Sequence, residues 1–275
     1  MGGTHGCGEE KIMDGQKYVC MDLPLSLPTP GGASRDPSHC LTLSFGVHLD
    51  TTFDDAVSEF PCEVHMFDVM PFYPNLANQV PHVYFHQVGL AAFQHKLFYN
   101  KINRTADVNS LSGHVNNLSL HSRLIHVLKI DIDGGEWDVL KNLAEDPLLD
   151  AVGQVAMEVH VVNLVMSEEN WTTRPPSQVS RENWLRELQD RYQILRLFES
   201  RGFRRVFYWD NIQDKYALYE KNGTRHETAG EVLYVNTNWY RESFRSLLRT
   251  RDGTTTTTNK YIYSLIQTAL KSVPP

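Results

Sequence analysis

The densest chemistry in the chain lies in Leu128-Lys129-Ile130-Asp131-Ile132-Asp133-Gly134-Gly135-Glu136-Trp137. An apolar stretch runs into two carboxylates, then two glycines, then a helix start. Ligands of an open parallel sheet bind outside the carboxyl ends of its strands, so a site is expected at this point. Strand alternation predicts that Asp131 and Asp133 face the same side. Two buried carboxylates call for a cation, a metal or a hydrogen-bond donor. In the blander reading, one Asp caps the following helix and the other faces water, and the residues alone leave both readings open. A second pair, Glu158 and His160, ends the apolar run Val152–Val161 and shares a side by the same rule. His160 is a candidate general base because imidazole titrates near neutrality; its alternative role is a hydrogen bond to a neighbouring loop.

For such residues to converge, several strands must end at one edge. Short runs rich in β-branched and aromatic residues supply them: Leu41–Val47, Cys62–Phe67, Val83–Val88, Leu124–Ile132 and Val152–Val161. Continuous apolar runs of this kind suit strands buried on both faces. The gaps mostly admit a crossover helix, which parallel pairing requires. Thr52-Phe53-Asp54-Asp55-Ala56-Val57 opens one helix and Glu136-Trp137-Asp138-Val139-Leu140 another. The alternation predicts an α/β fold, a Rossmann-like doubly wound and mostly parallel sheet. Trp184, Leu185, Leu188, Tyr192, Leu195 and Phe198 then recur at helical spacing, with Ser180 as N-cap and Gly202 as the stop. Phe203–Trp209 and Glu231–Asn236 read as a terminal antiparallel hairpin across a loop containing Asn222-Gly223. These elements divide the chain into an irregular lead-in (1–39), a main domain (40–240) and a tail (241–275). The tail holds the Thr254–Thr258 run and a predicted helix over Tyr261–Leu270.

At 275 residues and 41% hydrophobic, the chain can bury a large core, and neither a disordered nor a fibrous class fits. A net charge of −7 argues against nucleic acid as a partner. That charge is uneven, because residues 1–180 hold 10 basic and 22 acidic side chains while 181–275 hold 16 and 11. No apolar run reaches the roughly 20 residues of a membrane-spanning helix, and Met1–Asp22 has no apolar stretch that would read as a signal peptide.

Leu128–Trp137 resembles the strand–turn–helix element of the FkbM-like S-adenosylmethionine-dependent methyltransferases. The likeness extends through Asp14–Cys20, Cys40–Val47, Thr52–Ala56, Cys62–Asp68, Val83–Leu90 and Val155–His160, where it is similar to the methyltransferase-like-24 branch. The resemblance implies a Rossmann-like (class I) methyltransferase domain that uses S-adenosylmethionine and methylates an oxygen of a sugar or small-molecule hydroxyl. In such a domain the cofactor lies across the first strand ends, and an acidic residue after the second strand takes the ribose hydroxyls. Gly46 at the first turn and Asp68 about twenty residues later match that spacing. With Ser44 and Asp131 they form the expected cofactor-binding set. Ser44 stands where most such enzymes carry an acid, and Asp133 stands where the family has Glu. Asp131, Asp133, Glu158 and His160 form the expected catalytic set, since a hydroxyl acceptor needs its proton removed. An Asp/Glu/His group could hold a divalent ion, yet no spacing names a metal and none is favoured. A second class stays open, in which the fold is a non-catalytic binding or interaction module of the secretory pathway. A nicotinamide enzyme does not fit, because Ser44-Phe45-Gly46-Val47-His48-Leu49 is not a Gly-x-Gly-x-x-Gly turn.

Cys7, Cys20, Cys40 and Cys62 form no CxxC pair, so a zinc site is not expected. In an oxidising compartment at least one disulfide is expected, with Cys20–Cys40 the first choice and Cys62 an ordinary buried thiol. Sequons at Asn103, Asn117, Asn170 and Asn222 lean the same way, toward the secretory pathway, against a cytoplasmic alternative.

Overall fold

The computed structural model describes residues 17–21, 40–48, 50–70, 77, 79–99, 103–160, 181–211, 217–219 and 225–239. The chain divides into two compact units, Met1–Tyr240 and Arg241–Pro275. All described residues belong to the first. The expected N-cap Ser180, the Asn222-Gly223 loop and the Tyr261–Leu270 helix lie outside the described residues.

In chain order the strands begin with β1 (Leu41–Phe45), β2 (Glu63–Phe67), β3 (Val83–His86), β4 (Gly89–Leu90), β5 (His95–Tyr99) and β6 (Arg104–Asn109). They continue with β7 (Ile125–Ile130), β8 (Val152–His160), β9 (Phe203–Asp210), β10 (Ala217–Tyr219), β11 (Arg225–Glu227) and β12 (Ala229–Asn236). The helices are α1 (Thr52–Ser58), α2 (Leu111–Asn117), α3 (Glu136–Glu145) and α4 (Arg181–Ser200), with a 3-10 turn at Pro147–Ala151. Seven strands form the main sheet in the order β3-β2-β1-β7-β8-β12-β9. The pairs from β3 to β8 are parallel, and β12 runs antiparallel to both β8 and β9. This is the mostly parallel α/β sheet with a terminal antiparallel strand of a class I methyltransferase-like fold.

The central strands are buried throughout, β1 and β8 at every position. Alternation sorts their side chains into two layers. Leu41, Leu43, Phe45, Leu128, Ile130, Val155 and Met157 join one core, with Trp137, Leu140 and Leu143 of α3. Val64, Met66 and Val127 join the other, with Phe53 and Val57 of α1. Elements the sequence reading did not contain include the small sheet β4-β6-β5 and α2. In β6 the burial runs from exposed to buried along the strand, so no continuous apolar run or clean alternation marks it.

The disulfide joins Cys40 to Cys62, with Cα atoms 4.5 Å apart. This corrects the expected Cys20–Cys40 pairing and the reading of Cys62 as a thiol. The reason is register. Leu41 pairs with Glu63 on adjacent parallel strands, so the residues just before them meet. Cys20 instead packs with Ala156, Leu233, Val235 and Trp239. Its backbone N–H donates to Gln154 Oε1 at 2.7 Å, and its carbonyl accepts from Gln154 Nε2 at 3.1 Å.

Candidate active site

Gly46 leaves β1 with φ +79°, a left-handed conformation that favours glycine. A Cβ there would stand 1.5 Å from the Asp131 carbonyl oxygen, so the first turn is pressed against the exit of β7. Asp68 follows β2 and faces that turn: its Oδ2 accepts the His48 N–H and its Oδ1 the Met70 N–H, both at 2.7 Å. Ser44 is fully buried in β1, in register with Lys129 of β7. Its hydroxyl is therefore not offered to a ligand at the surface.

β7 ends at Ile130, so strand alternation does not carry Asp131 and Asp133 to one side as expected. Asp133 and Gly134 take φ +52° and +102° and turn the chain into α3. Asp is among the few residues with a side chain that tolerate the left-handed region. Asp131 remains at the strand exit, where it meets two ammonium groups. Lys17 Nζ lies 2.9 Å from its Oδ2 and Lys129 Nζ 3.8 Å. Lys17 also reaches Glu231 Oε1 at 2.7 Å, and Lys129 donates to the Gly46 carbonyl at 2.9 Å. Burial opposes the charge on Lys17 and Asp131, but the combined pull of Asp131, Glu231 and Glu158 on the ammonium, and of Lys17 and Lys129 on the carboxylate, outweighs it. The ammonium is held above its usual range and the carboxyl well below its own.

Glu158 lies beside this pair, accepting from Asn211 Nδ2 at 2.8 Å and hydrogen-bonding Asp131. Burial, and then the Asp131 charge, push its carboxyl up to about 8. His160 Nδ1 lies 3.1 Å from Glu136 Oε1. Burial disfavours the imidazolium, but the Glu136 hydrogen bond and charge outweigh it and raise His160 to about 9. At neutral pH His160 therefore holds a proton rather than waiting for one. The structure thus gathers Asp131, Glu158 and His160 at the carboxyl ends of β7 and β8, and Asp133 is close enough to help hold the His160 charge. Gly46 and Asp68 lie one and two strands away. Lys17, Lys129, Glu136 and Glu231 were not among the expected site residues. A lysine inside the apolar strand Ile125–Ile130 is the one local signal that could have exposed any of them. Among the described residues no group of three or more His, Cys, Asp or Glu is arranged to hold a metal.

A family model described as "Methyltransferase domain" matches residues 5–185. The chain belongs to the methyltransferase-domain family. Within it, the chain is similar to "Probable methyltransferase-like protein 24" of Homo sapiens, at 23% identity over 201 residues covering 73% of this chain and 51% of that protein. The Rattus norvegicus protein of the same name is 23% identical over 211 residues, with coverage of 73% and 51%. The chain thus spans about half the length of the curated relatives it matches. The matched region of this methyltransferase domain carries Lys17, Gly46, Asp68, Asp131, Glu158 and His160, and ends before Glu231.

Proposed function

We propose that this chain transfers a methyl group from S-adenosylmethionine to an oxygen of a sugar or other small-molecule hydroxyl. The observation that carries the reading is the carboxyl pair Asp131 and Glu158 at the strand exits beside the Gly46 turn. The Asp131 side chain is 14% exposed and Glu158 is 2% exposed. Glu158 is therefore the buried proton acceptor of the pair, with Asp131 between it and solvent. Such a pair titrates as a unit, and an acidity near neutral or above suits a base that must take a hydroxyl proton.

The first turn fits the proposed cofactor. Each Asp68 oxygen accepts one backbone N–H, and a carboxylate oxygen has room for a second donor, here a ribose hydroxyl. Gly46 lets the chain turn tightly under it. When bound, the cofactor supplies an electrophilic methyl group. The chain's own part is to orient the acceptor, exclude water and hold the released proton on Glu158 when that carboxyl is ionised. The hydroxyl acceptor itself follows from the family resemblance.

The same reading has the chain mature in an oxidising compartment. It is supported by the Cys40–Cys62 bond and by exposed sequon residues at Asn103 and Asn117, since such bonds rarely persist in cytosol. Among the described residues no helix is long and apolar enough to cross a membrane. The second reading, a non-catalytic binding module, draws support from Ser44 at the acidic position and from Lys17 balancing Asp131.

Incubation with methyl-labelled S-adenosylmethionine and pooled glycans or small alcohols tests the proposal. Label in a base-stable ether, lost in Asp131→Asn and Asp133→Asn variants that still fold, is the expected result. Cofactor binding with no transfer to any hydroxyl would favour the binding module.

A further inference from the structure

A cleft of about 200 Å³ opens between α4 and the strands β9 and β12. Val159 lines it, and strand alternation sets Val159 on the opposite face of the sheet from Glu158. The cleft is thus separate from the proposed cofactor site, and its chemistry does not depend on the transfer reading. The start of β12 explains the space. Ala229 and Gly230 offer no bulk beneath Leu188 and Tyr192 of α4. Tyr208 lies across the bare Gly230 backbone, where a Cβ would stand 2.8 Å from its ring. Two guanidinium groups line this mostly apolar space. Arg205 and Tyr208 are three residues apart, which alternation would send to opposite faces. The register of β9 on β12 shifts between the Leu233–Phe207 and Tyr234–Arg205 pairs, and this bulge turns both side chains to the cleft. Arg205 Cζ then lies 5.8 Å from the centre of the Tyr208 ring. From α4, Arg191 Cζ stands 5.2 Å from the centre of the Trp137 ring, and one terminal nitrogen lies 3.2 Å from Glu187 Oε1. Its Nε is buried and has no hydrogen-bond partner among the described residues. A buried charged donor without an acceptor is costly, and a ligand oxygen would remove that cost. Glu227 also lines the cleft, so its walls carry two guanidiniums against one carboxylate.

We propose that this cleft is a binding site for a six-membered ring that carries a carboxylate. Volume sets the ring. An apolar cavity of about 150 Å³ accommodates benzene, so the space here has room for one ring and one acidic group. Trp137, Leu188 and Tyr208 give the ring an apolar bed, and Arg191 and Arg205 receive the acid. An acidic sugar and an aromatic acid share this chemistry.

Ligand-observed NMR titration of the full chain with sodium D-glucuronate and with sodium benzoate tests it, with glucose and benzyl alcohol as the uncharged matches. At least one acid should bind saturably, one per chain and about tenfold or more tighter than its match. The acid that does so names the source. Arg191→Met should weaken that binding by about tenfold or more, the effect of one hydrogen bond to a charged group. The uncharged match should bind the variant as it binds the wild type. Should Arg191→Met fail to fold, Arg205→Met on the edge strand β9 carries the same test. No saturable binding of either acid, a smaller preference for both, or a smaller loss in the folded variant overturns the proposal.

Discussion

A carboxyl group that loses its proton near pH 8 is a weak base population at pH 7 and a strong one at pH 9. Glu158 is such a group, because burial and the neighbouring Asp131 both oppose its ionisation. Its proton-accepting form is the ionised one, so turnover should rise with pH through about 8. A single group of that acidity is about one-tenth ionised at pH 7 and about nine-tenths at pH 9. Glu158→Gln should remove that dependence and lower kcat by roughly a hundredfold or more, with cofactor affinity nearly unchanged. A flat wild-type profile between pH 7 and 9 would exclude Glu158 from the proton's path. Glu158 and His160 were legible in the sequence because they end a long buried run, and a strand end has a known place in the fold. Lys17 was not. It meets Glu231 across 214 positions of chain, and no local spacing encodes a contact made only when a lead-in docks on a finished sheet. The sequence also left the His160 proton unassigned, since that depends on Glu136 arriving from the start of α3.

The strands were legible wherever both faces are buried, as in β1, β7 and β8, and α1, α3 and α4 were legible from the gaps and spacing. The β4-β6-β5 sheet was not, because β4 is only two residues long and β5 and much of β6 are exposed. Lys96 and Asp107, paired across β5 and β6, are both solvent-facing. The disulfide belongs to this scale as well. Cys40 and Cys62 directly precede two adjacent parallel strands, so once β1 and β2 are taken as neighbours in register, their pairing follows. The sequence reading chose Cys20–Cys40 without using register. The bond closes a separation of 22 residues, worth roughly 3 kcal/mol in the chain-entropy model. Cys40→Ala/Cys62→Ala should therefore lower the melting temperature by roughly 6–12 °C for a domain of this size. Cofactor affinity should hold, because the bond lies at the amino ends of β1 and β2 while Gly46 and Asp68 follow their carboxyl ends. Lost binding with unchanged melting would reverse that assignment.

At the scale of the molecule, an acidic lead-in and sheet carry the candidate site, and the proposed oxidising route is open to test at the Cys40–Cys62 disulfide and two exposed sequons. All three residues of the Asn103-Arg104-Thr105 sequon are exposed, and Asn117 and Ser119 are exposed at the end of α2. A peptide map of protein made in a eukaryotic secretory host should find glycans on Asn103 and Asn117 and an intact Cys40–Cys62 bond. Reduced cysteines with both asparagines bare would instead indicate a cytoplasmic protein. The fold class was readable from the succession of buried runs, whereas the identity of the acceptor is written in no residue pattern. The central claim is that the ends of β1 and β2 bind a nucleoside cofactor through Asp68. Titration of S-adenosylmethionine into the wild-type chain and Asp68→Ala tests it most directly. A charge-assisted hydrogen bond is worth roughly 1.5–3 kcal/mol, so saturable one-to-one binding weakened tenfold or more in the folded variant is the result the account predicts. Equal affinity in the two proteins, or no binding to the wild type, would contradict it.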